Sequence, residues 1–407
     1  MTEHQTIGKG TWIDKLASEL LERENSLGRN TDLIRVESGL GASGIPHIGS
    51  LGDAVRAYGV KLALENLGYK SELIAYSDDL DGLRKIPEGL DVDNDQIGRR
   101  VSAIPDPDPK GCHESYGQHM SSLLLEGLDE LEIKYDHRTA HETYKNGLLN
   151  EQIHKILINR KKIGEKVEEL TGQQKFQTVL PYFPICENCD KLYTTESYEY
   201  IEDEKRVRYR CKDSEIGTHK IAGCGHESES DITKGLGKLA WKVEFAARWS
   251  AFDIRFEAYG KDIMDSVKVN DWVSDEILNF SHPHHIKYEM FLDKGGKKIS
   301  KSLGNVLKIS DFGVARLTDI NRTNTGIVLG TPMYMSPEQL GAEKLTGHSD
   351  LFSLGVTLYE LLIGEVPFTA SNIRVLMTKI TSEDPPPISN PVSYTHLRAH
   401  ETDSYLV

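Results

Sequence analysis

The N-terminal part of the chain alternates between helical and strand-like patterns of hydrophobic residues. Residues 11–22 carry apolar side chains at the spacing of an amphipathic helix, and residues 51–68 repeat that spacing. Residues 32–37 alternate apolar and polar positions like a strand, and residues 71–77 form a second strand pattern. The succession of strand, helix and strand predicts a βαβ unit, the building block of a parallel nucleotide-binding sheet.

The pattern becomes irregular between residues 85 and 230, where proline, cysteine and histidine recur. We interpret this stretch as an insertion within the sheet domain. Helical spacing resumes near Leu236. The pattern therefore predicts an α/β fold of the Rossmann type that is interrupted by a long insertion.

Composition and charge exclude several classes of protein. The 407 residues carry a net charge of −15, which argues against binding nucleic acid through general positive charge but leaves room for a local basic groove. We find no apolar run long enough for a membrane span and no secretory signal, so we expect a cytoplasmic protein without membrane partners. The five cysteines lie beside histidines, which favours metal binding over a disulfide framework.

A glycine-rich turn separates the first predicted strand from the following helix. Glycines allow a phosphate to approach the backbone, and the start of a helix offers free N–H groups and the positive end of the helix dipole. A tight turn that binds no ligand is the alternative interpretation. The residues of this turn and the helix start are Gly39, Gly41, Gly44, Pro46, His47, Gly49 and Ser50.

A second phosphate-binding candidate lies in the glycine- and serine-rich segment around residues 297–302. Lys298 and Lys301 are flexible positive charges, and they alternate with Ser300 and Ser302. A loop of this kind can close on a triphosphate and neutralise charge that develops during attack at the α-phosphate. A solvated surface loop is the alternative interpretation of the same residues.

The turn and the lysine segment together resemble the two signature motifs of the class I aminoacyl-tRNA synthetases. The first motif, usually written HIGH, is similar to residues 47–50, and the second, usually written KMSKS, is similar to residues 298–302. Ser50 departs from the second histidine of the first motif, so the resemblance assigns no certain role to that position.

Three further segments narrow the resemblance to the class I lysyl-tRNA synthetases. They are residues 78–87, 241–249 and 260–262, and the resemblance as a whole covers about residues 10–306. It implies that ATP and Mg²⁺ are used to activate L-lysine as lysyl-adenylate, and that lysine is then transferred to tRNA(Lys).

The resemblance also implies roles for individual residues. The catalytic set is His47, Gly49, Lys298 and Lys301. The ATP-binding set is Gly39, Gly41, Gly44, Pro46, Ser50, Gly260, Asp262, Ser300 and Ser302. The set expected to meet the substrate lysine is Asp78, Asp79, Asp81 and Trp241.

Chemistry supports the lysine-binding set independently of the resemblance. The three aspartates follow the second strand, at the edge where open α/β sheets bind ligands, and carboxylates suit an ammonium group. Trp241 can pack against the methylene stem or the cation of lysine. A solvated turn is the alternative for the aspartates, and a core position is the alternative for the tryptophan.

Two groups of metal-binding side chains lie in the predicted insertion. Four thiolates suit a tetrahedral structural zinc, although His219 or His226 can replace one cysteine, and they belong to Cys186, Cys189, Cys211 and Cys224. The second group offers oxygen, sulfur and nitrogen ligands for Zn²⁺ and consists of Asp108, Cys112, His113 and His119. Free thiols and a polar loop are the respective alternatives.

The character of the sequence changes near residue 307. Residues 308–316, 330–338 and 349–356 resemble the DFG segment, the end of the activation loop and the central C-lobe helix of bacterial Ser/Thr protein kinases. Neither a glycine-rich loop nor an HRD catalytic loop precedes Asp311, so we expect no kinase activity. We also expect this part to fold poorly, because its helices lack their usual apolar partners.

The last residues suggest an origin for this change. Residues 391–402 resemble a translated sequencing adapter, and we interpret the whole tail as the product of joining two unrelated genes near residue 307. A true synthetase–kinase fusion is the alternative. Under the favoured interpretation the kinase-like tail stands where a class I lysyl-tRNA synthetase would have its anticodon-reading domain.

These patterns give a definite set of expectations. Residues 1–306 form a Rossmann-type α/β catalytic domain with a zinc-bearing insertion at about 85–230, residues 307–390 form a helical kinase C-lobe fragment, and residues 391–407 are a non-native tail. The expected function is that of a lysine-tRNA ligase. The alternatives are an inactive kinase fragment and a non-catalytic, zinc-bearing binder of RNA or nucleotide.

Overall fold

The chain is described in a computed structural model that divides it into two compact units, Met1–Leu307 and Lys308–Val407. The residues that the structure describes are 12–46, 48–87, 90–216, 219–288, 332–340, 352, 355–356, 359, 366–370 and 373–386.

The first unit contains helices and strands in alternation. Its helices are α1 (Trp12–Ser26), α2 (Ile48–Asn66), α3 (Tyr116–Glu130), α4 (Ala140–Lys145), α5 (Asn150–Ile158), α6 (Arg160–Thr171), α7 (Trp241–Phe252) and α8 (Met264–Glu276). Its strands are β1 (Ile34–Leu40), β2 (Ser71–Ser77), β3 (Asp136–Thr139), β4 (Tyr182–Pro184), β5 (Thr195–Ile201), β6 (Arg206–Cys211), β7 (Ser214–Ile216), β8 (His219–Ile221), β9 (Glu227–Asp231), β10 (Gly237–Leu239), β11 (Ile254–Gly260) and β12 (His284–Tyr288).

Five strands form one parallel sheet in the order β12-β11-β1-β2-β3. The chain winds outward from β1 through β2 to β3, and later returns to the other side of β1 through β11 and β12. The direction of winding therefore reverses between β1 and β11. In open α/β sheets this reversal leaves a crevice at the carboxyl ends of the strands, where ligands bind.

Both faces of the sheet are covered by helices. Leu73 of β2 packs into an apolar cluster with residues of α1 and α2, whereas its neighbours Ile74 and Tyr76 belong to the cluster that contains residues of α5, α7 and α8. Strand β2 is apolar on both sides for this reason, as a parallel strand buried between two helical layers must be.

The predicted βαβ unit is present. The second predicted strand coincides with β2, and the first predicted helix, strand and second helix correspond to α1, β1 and α2 with shifts of a few residues at their ends. A Rossmann-type parallel sheet is therefore the core of the first unit.

The predicted insertion begins too early, because α3 and β3 lie within residues 85–230 and yet complete the parallel sheet. No hydrophobic pattern predicts β3, since its four residues are polar and lie at the sheet edge, partly exposed. The chain leaves the sheet domain after β3 and returns to it at α7. It contains α4–α6 and three small antiparallel sheets, β5-β6-β9, β4-β10 and β7-β8.

The second unit is described only in short segments. These include two helices, α9 (Pro337–Leu340) and α10 (Ile373–Ser382), and a small apolar cluster of Phe368, Leu376 and Ile380. The kinase-like DFG segment with Asp311 lies outside the described residues. Among the helices that the structure describes in either unit, none has the length and apolar character needed to cross a bilayer.

Candidate active site

The glycine turn follows β1 at the point where the winding of the sheet reverses. Glu37 of β1 lies beside Glu257 of β11, so that Leu40 and Gly260, each three residues further along, end their strands side by side. A Cβ atom built on Gly39 would meet no atom within 4 Å, which leaves open space at this end of the strand. The turn thus lies where a nucleotide is expected.

Helix α2 starts directly after this turn, at Ile48. Its first turn contains no acidic residue, so nothing there opposes the attraction of the helix N-terminus for a phosphate. Gly44, Pro46 and Ser50 are buried around the helix start, whereas Gly41 is exposed. His47 itself lies outside the described residues.

The end of β12 is joined to α2 by a side-chain contact. The hydroxyl of Tyr288 donates a hydrogen bond to Asp53, and the guanidinium of Arg56 lies 4.1 Å from the centre of the Tyr288 ring. Burial raises the pKa of Asp53 to about 7 despite these partners. Tyr288 is the last described residue before the lysine segment, and Lys298, Ser300, Lys301 and Ser302 lie outside the described residues.

Gly260 and Asp262 occupy the neighbouring strand end. Gly260 ends β11, and Asp262 lies in the short 3₁₀ turn that follows it. The carboxylate of Asp262 is close enough to contribute to the raised pKa of both Asp53 and Tyr288. The structure therefore brings Gly260 and Asp262, which were predicted to bind ATP, to the same sheet edge as the glycine turn.

The aspartates after β2 are buried around an ammonium group from the same chain. Lys238, which is 1% exposed, donates to Asp78 and Asp81, and its Nζ lies 3.1 Å from Oε2 of Glu244. The sequence interpretation missed Lys238, because nothing in the local pattern of β10 distinguishes it from a surface lysine.

Asp79 has a different role from its two neighbours. Its Oδ1 accepts a hydrogen bond of 2.7 Å from the backbone N–H of His141, at the start of α4. Burial raises the pKa of Asp79 to about 6. The side chain therefore joins β2 to the element after β3 and does not face the same group as Asp78 and Asp81.

Trp241 and Asp81 line a common cavity of about 280 Å³ between the sheet domain and the small antiparallel sheets. The indole Nε1 of Trp241 donates to Oδ1 of Asp81 over 3.3 Å. The Arg84 guanidinium lies 5.4 Å from the Trp241 ring and 5.2 Å from the Tyr193 ring. An aromatic side chain with an adjacent carboxylate is thus available to a ligand in this cavity.

A second buried ionic group lies beneath the glycine turn. Arg248 of α7 lies 2.7 Å from Oε1 of Glu37 and 3.6 Å from Oε1 of Glu257. Glu37 is fully buried, and this burial raises its pKa to about 8. Two carboxylates thus depend on one guanidinium, which is also 4.4 Å from the centre of the Tyr76 ring.

The four predicted cysteines come together. Their sulfur atoms lie within 4.8 Å of one another, with 3.5 Å between Cys186 and Cys224 and 3.7 Å between Cys189 and Cys211. A tetrahedron of Zn–S bonds requires sulfur atoms about 3.8 Å apart, so the arrangement fits Zn²⁺. His226 instead lies 2.7 Å from Glu187, and the side chain of His219 lies outside the described residues.

The second group also forms, but with a different carboxylate. Cys112, His113 and His119 gather with Asp106, and Oδ1 of Asp106 lies 2.9 Å from Nδ1 of His119. Asp108, the residue expected from the sequence, instead accepts a hydrogen bond of 2.8 Å from the backbone N–H of Lys110. Asp106 also accepts backbone N–H groups of the turn, from Asp108 at 2.9 Å and from His113 at 2.6 Å, and its carboxylate is the one that reaches the histidines.

Comparison with known proteins assigns the fold and site to a family. Residues 10–319 match the family described as tRNA synthetases class I (K), which covers most of the chain, and the chain therefore belongs to this family. Residues 290–398 match the protein kinase domain family.

The relatives that match are lysine–tRNA ligases. One from Cenarchaeum symbiosum (strain A) is 68% identical over 304 residues, which cover 74% of this chain and 58% of that protein. One from Rickettsia bellii (strain OSU 85-389) is 32% identical over 303 residues, covering 74% of this chain and 56% of that protein. The chain thus spans a little more than half the length of these relatives.

A solved glutamate tRNA ligase from Elizabethkingia meningosepticum is more distant. It shares 12% identity, covers 67% of this chain and 52% of its own, and aligns with a TM-score of 0.34. That likeness is too low to bear on the fold.

Proposed function

We propose that the chain activates L-lysine with ATP and transfers it to tRNA(Lys). One observation carries the proposal: the glycine turn after β1, the aspartates after β2 and the Gly260–Asp262 segment after β11 meet at one edge of the sheet. This edge is the ligand-binding edge of such folds. The identity of 68% to a lysine–tRNA ligase supports lysine as the amino acid.

The proposed reaction requires no covalent intermediate on the protein. The carboxylate of lysine attacks the α-phosphate of ATP, a P–O bond to the new acyl group forms, and pyrophosphate leaves. A ribose hydroxyl of tRNA then attacks the acyl carbon and AMP leaves. Mg²⁺, when bound, would neutralise phosphate charge during the first step.

The chain's own residues position ATP and stabilise the charge that develops. His47 and the glycines of the turn hold the phosphates with the N-terminus of α2. Lys301, helped by Lys298, stabilises the five-coordinate α-phosphate and the departing pyrophosphate. These two lysines act as mobile point charges, which suits a loop that closes over the nucleotide.

The substrate lysine is proposed to bind in the cavity beside Trp241. Its methylene stem can pack on the indole, which lies partly exposed on the cavity wall. Asp78 and Asp81 were expected to bind the substrate ammonium, but they already hold the ammonium of Lys238. We therefore propose that Asp81 acts on the substrate through Trp241.

Zinc binding is proposed for both metal-ligand groups, and it can be tested by a crossed pair of variants. Cys211→Ser should lose about one equivalent of zinc and on the order of several kcal/mol of stability, because a structural zinc stabilises the fold that supplies its ligands. Cys112→Ser should lose about one equivalent from the other group. Elemental analysis of purified protein checks both. A wild-type protein without zinc, or equal zinc in all three proteins, contradicts the proposal.

The function is tested by pyrophosphate exchange into ATP. The wild-type chain is expected to incorporate labelled pyrophosphate when lysine is present, because formation of lysyl-adenylate is reversible. Glutamate, glutamine and cysteine serve as controls. If one of these amino acids drives exchange and lysine does not, the chain is a class I synthetase for that amino acid. If the chain binds ATP but shows no exchange, it is a nucleotide-binding protein without synthetase activity.

A further inference from the structure

Lys238 is a charged residue in the interior of the first unit. It lies in β10 opposite Phe183 of β4, and its side chain is 1% exposed. Burial of an ammonium is unfavourable unless it is paired and hydrogen-bonded, so a buried lysine requires specific partners. Lys238 has three: Asp78, Asp81 and Glu244.

The charges around Lys238 are close to balance. Arg84 contributes a second cation, with Nη2 3.9 Å from Oδ2 of Asp81. Burial raises the pKa of Glu244 to about 7, and its Oε1 accepts a hydrogen bond of 2.8 Å from Tyr144. Loss of the Lys238 ammonium would leave Asp78 and Asp81 without their nearest cation, with only the more distant Arg84 and Arg248 near them.

Asp81 connects Lys238 to side chains on the cavity wall. Its Oδ1 binds both Lys238 and the indole N–H of Trp241, and its Oδ2 faces Arg84. Asp81, Arg84 and Trp241 all line the cavity, and so does Lys238 itself. The rotamer of Asp81 therefore determines how the aromatic ring and the guanidinium are presented to a ligand.

We propose that Lys238 is a positioning residue for the lysine site: it provides from within the chain the ammonium that Asp78 and Asp81 hold, and through Asp81 it fixes Trp241 and Arg84 at the cavity wall. The inference rests on the proposed function. It also explains why the substrate ammonium does not bind at these aspartates, since their charge is already satisfied.

The test compares four variants of the full chain with wild type in lysine-dependent pyrophosphate exchange. Lys238→Met keeps the length of the side chain and removes its charge, and it should raise KM for lysine about tenfold or more while changing KM for ATP less than about twofold. Lys234→Met alters an exposed lysine of the same segment and should leave both constants unchanged. Titration of active sites keeps unfolded protein out of the comparison.

If Lys238→Met does not fold, Asp81→Asn tests the same positioning role. This variant retains the pairing of Lys238 with Asp78 and Glu244 and weakens the contacts to Arg84 and Trp241, so KM for lysine should again rise selectively. Lys238→Ala provides a third measurement, in which added propylammonium should restore the lower KM by occupying the vacated position.

The outcomes separate the inference from the function it rests on. A selective rise in KM for lysine in Asp81→Asn, with rescue of Lys238→Ala by propylammonium, supports the positioning role. The inference is wrong if wild type is active and the Lys238 and Asp81 variants keep KM for lysine within about twofold of it. In that case a lower fraction of titratable active sites in these variants would show that the residues only support folding. Absence of lysine-driven exchange in wild type would instead count against the proposed function.

Discussion

Replacing Arg248 by methionine is expected to lower the free energy of unfolding by about 3–5 kcal/mol, because removal of one partner leaves buried charge uncompensated. Arg248 is 2% exposed and is the cation that contacts both Glu37 and Glu257. Methionine fills part of the space but offers nothing to either carboxylate. Guanidinium denaturation followed by far-UV circular dichroism measures the difference.

An exposed arginine of the same unit provides the control for Arg248. Arg208 pairs with Glu199 at 2.7 Å and Glu229 at 2.9 Å, yet its side chain is 44% exposed. Arg208→Met should therefore lower the free energy of unfolding far less than Arg248→Met does, since solvent screens such exposed pairs. Equal losses in the two variants would show that burial does not govern the strength of the Arg248 cluster.

Hydrophobic periodicity predicted the parts of the fold in which local pattern and burial agree. Helix α1 and strand β2 follow from the spacing of their apolar residues, because each presents apolar side chains to the helical layers of the sheet. Strand β3 has no such pattern. Its pairing with β2 supplies hydrogen bonds that any sequence can make, so the four polar residues carry no signal.

Short-range spacing in the sequence predicted which metal-binding side chains come together, but it did not predict the buried ion pairs of Lys238 and Arg248. The four cysteines could be proposed from their sequence alone, because thiolates have few other reasons to pair in this way. The choice between Asp106 and Asp108 depended on which carboxylate the folded turn places beside the histidines, because both accept backbone N–H groups.

The partner of Asp81 could not be predicted, since Lys238 lies 157 residues away along the chain. Only the tertiary fold brings β10 against the loop after β2. The sequence led us to expect the substrate ammonium at these aspartates, and it offered no means to foresee that an ammonium of the chain itself lies beside Asp78 and Asp81.

Replacement of Lys301 by alanine should lower kcat for pyrophosphate exchange by about 10²–10³, the usual effect of removing one group that stabilises charge developing in the transition state. The positive charge of Lys301 matters most when pyrophosphate departs, so KM for the substrate lysine should change little. The measurement is steady-state exchange at saturating ATP and lysine. A rise in KM for ATP with kcat unchanged would show that Lys301 binds ground-state ATP and has no special role in the chemical step.

Asp311→Asn supplies the matched control, because it alters a charged residue only ten positions later, in the kinase-like segment. If the kinase-like motif contributes nothing to the synthetase reaction, this variant should retain exchange within about twofold of wild type. A loss comparable to that of Lys301→Ala would place the DFG-like segment within the functional site. The two variants together therefore locate the end of the catalytic sequence by activity, independently of any resemblance.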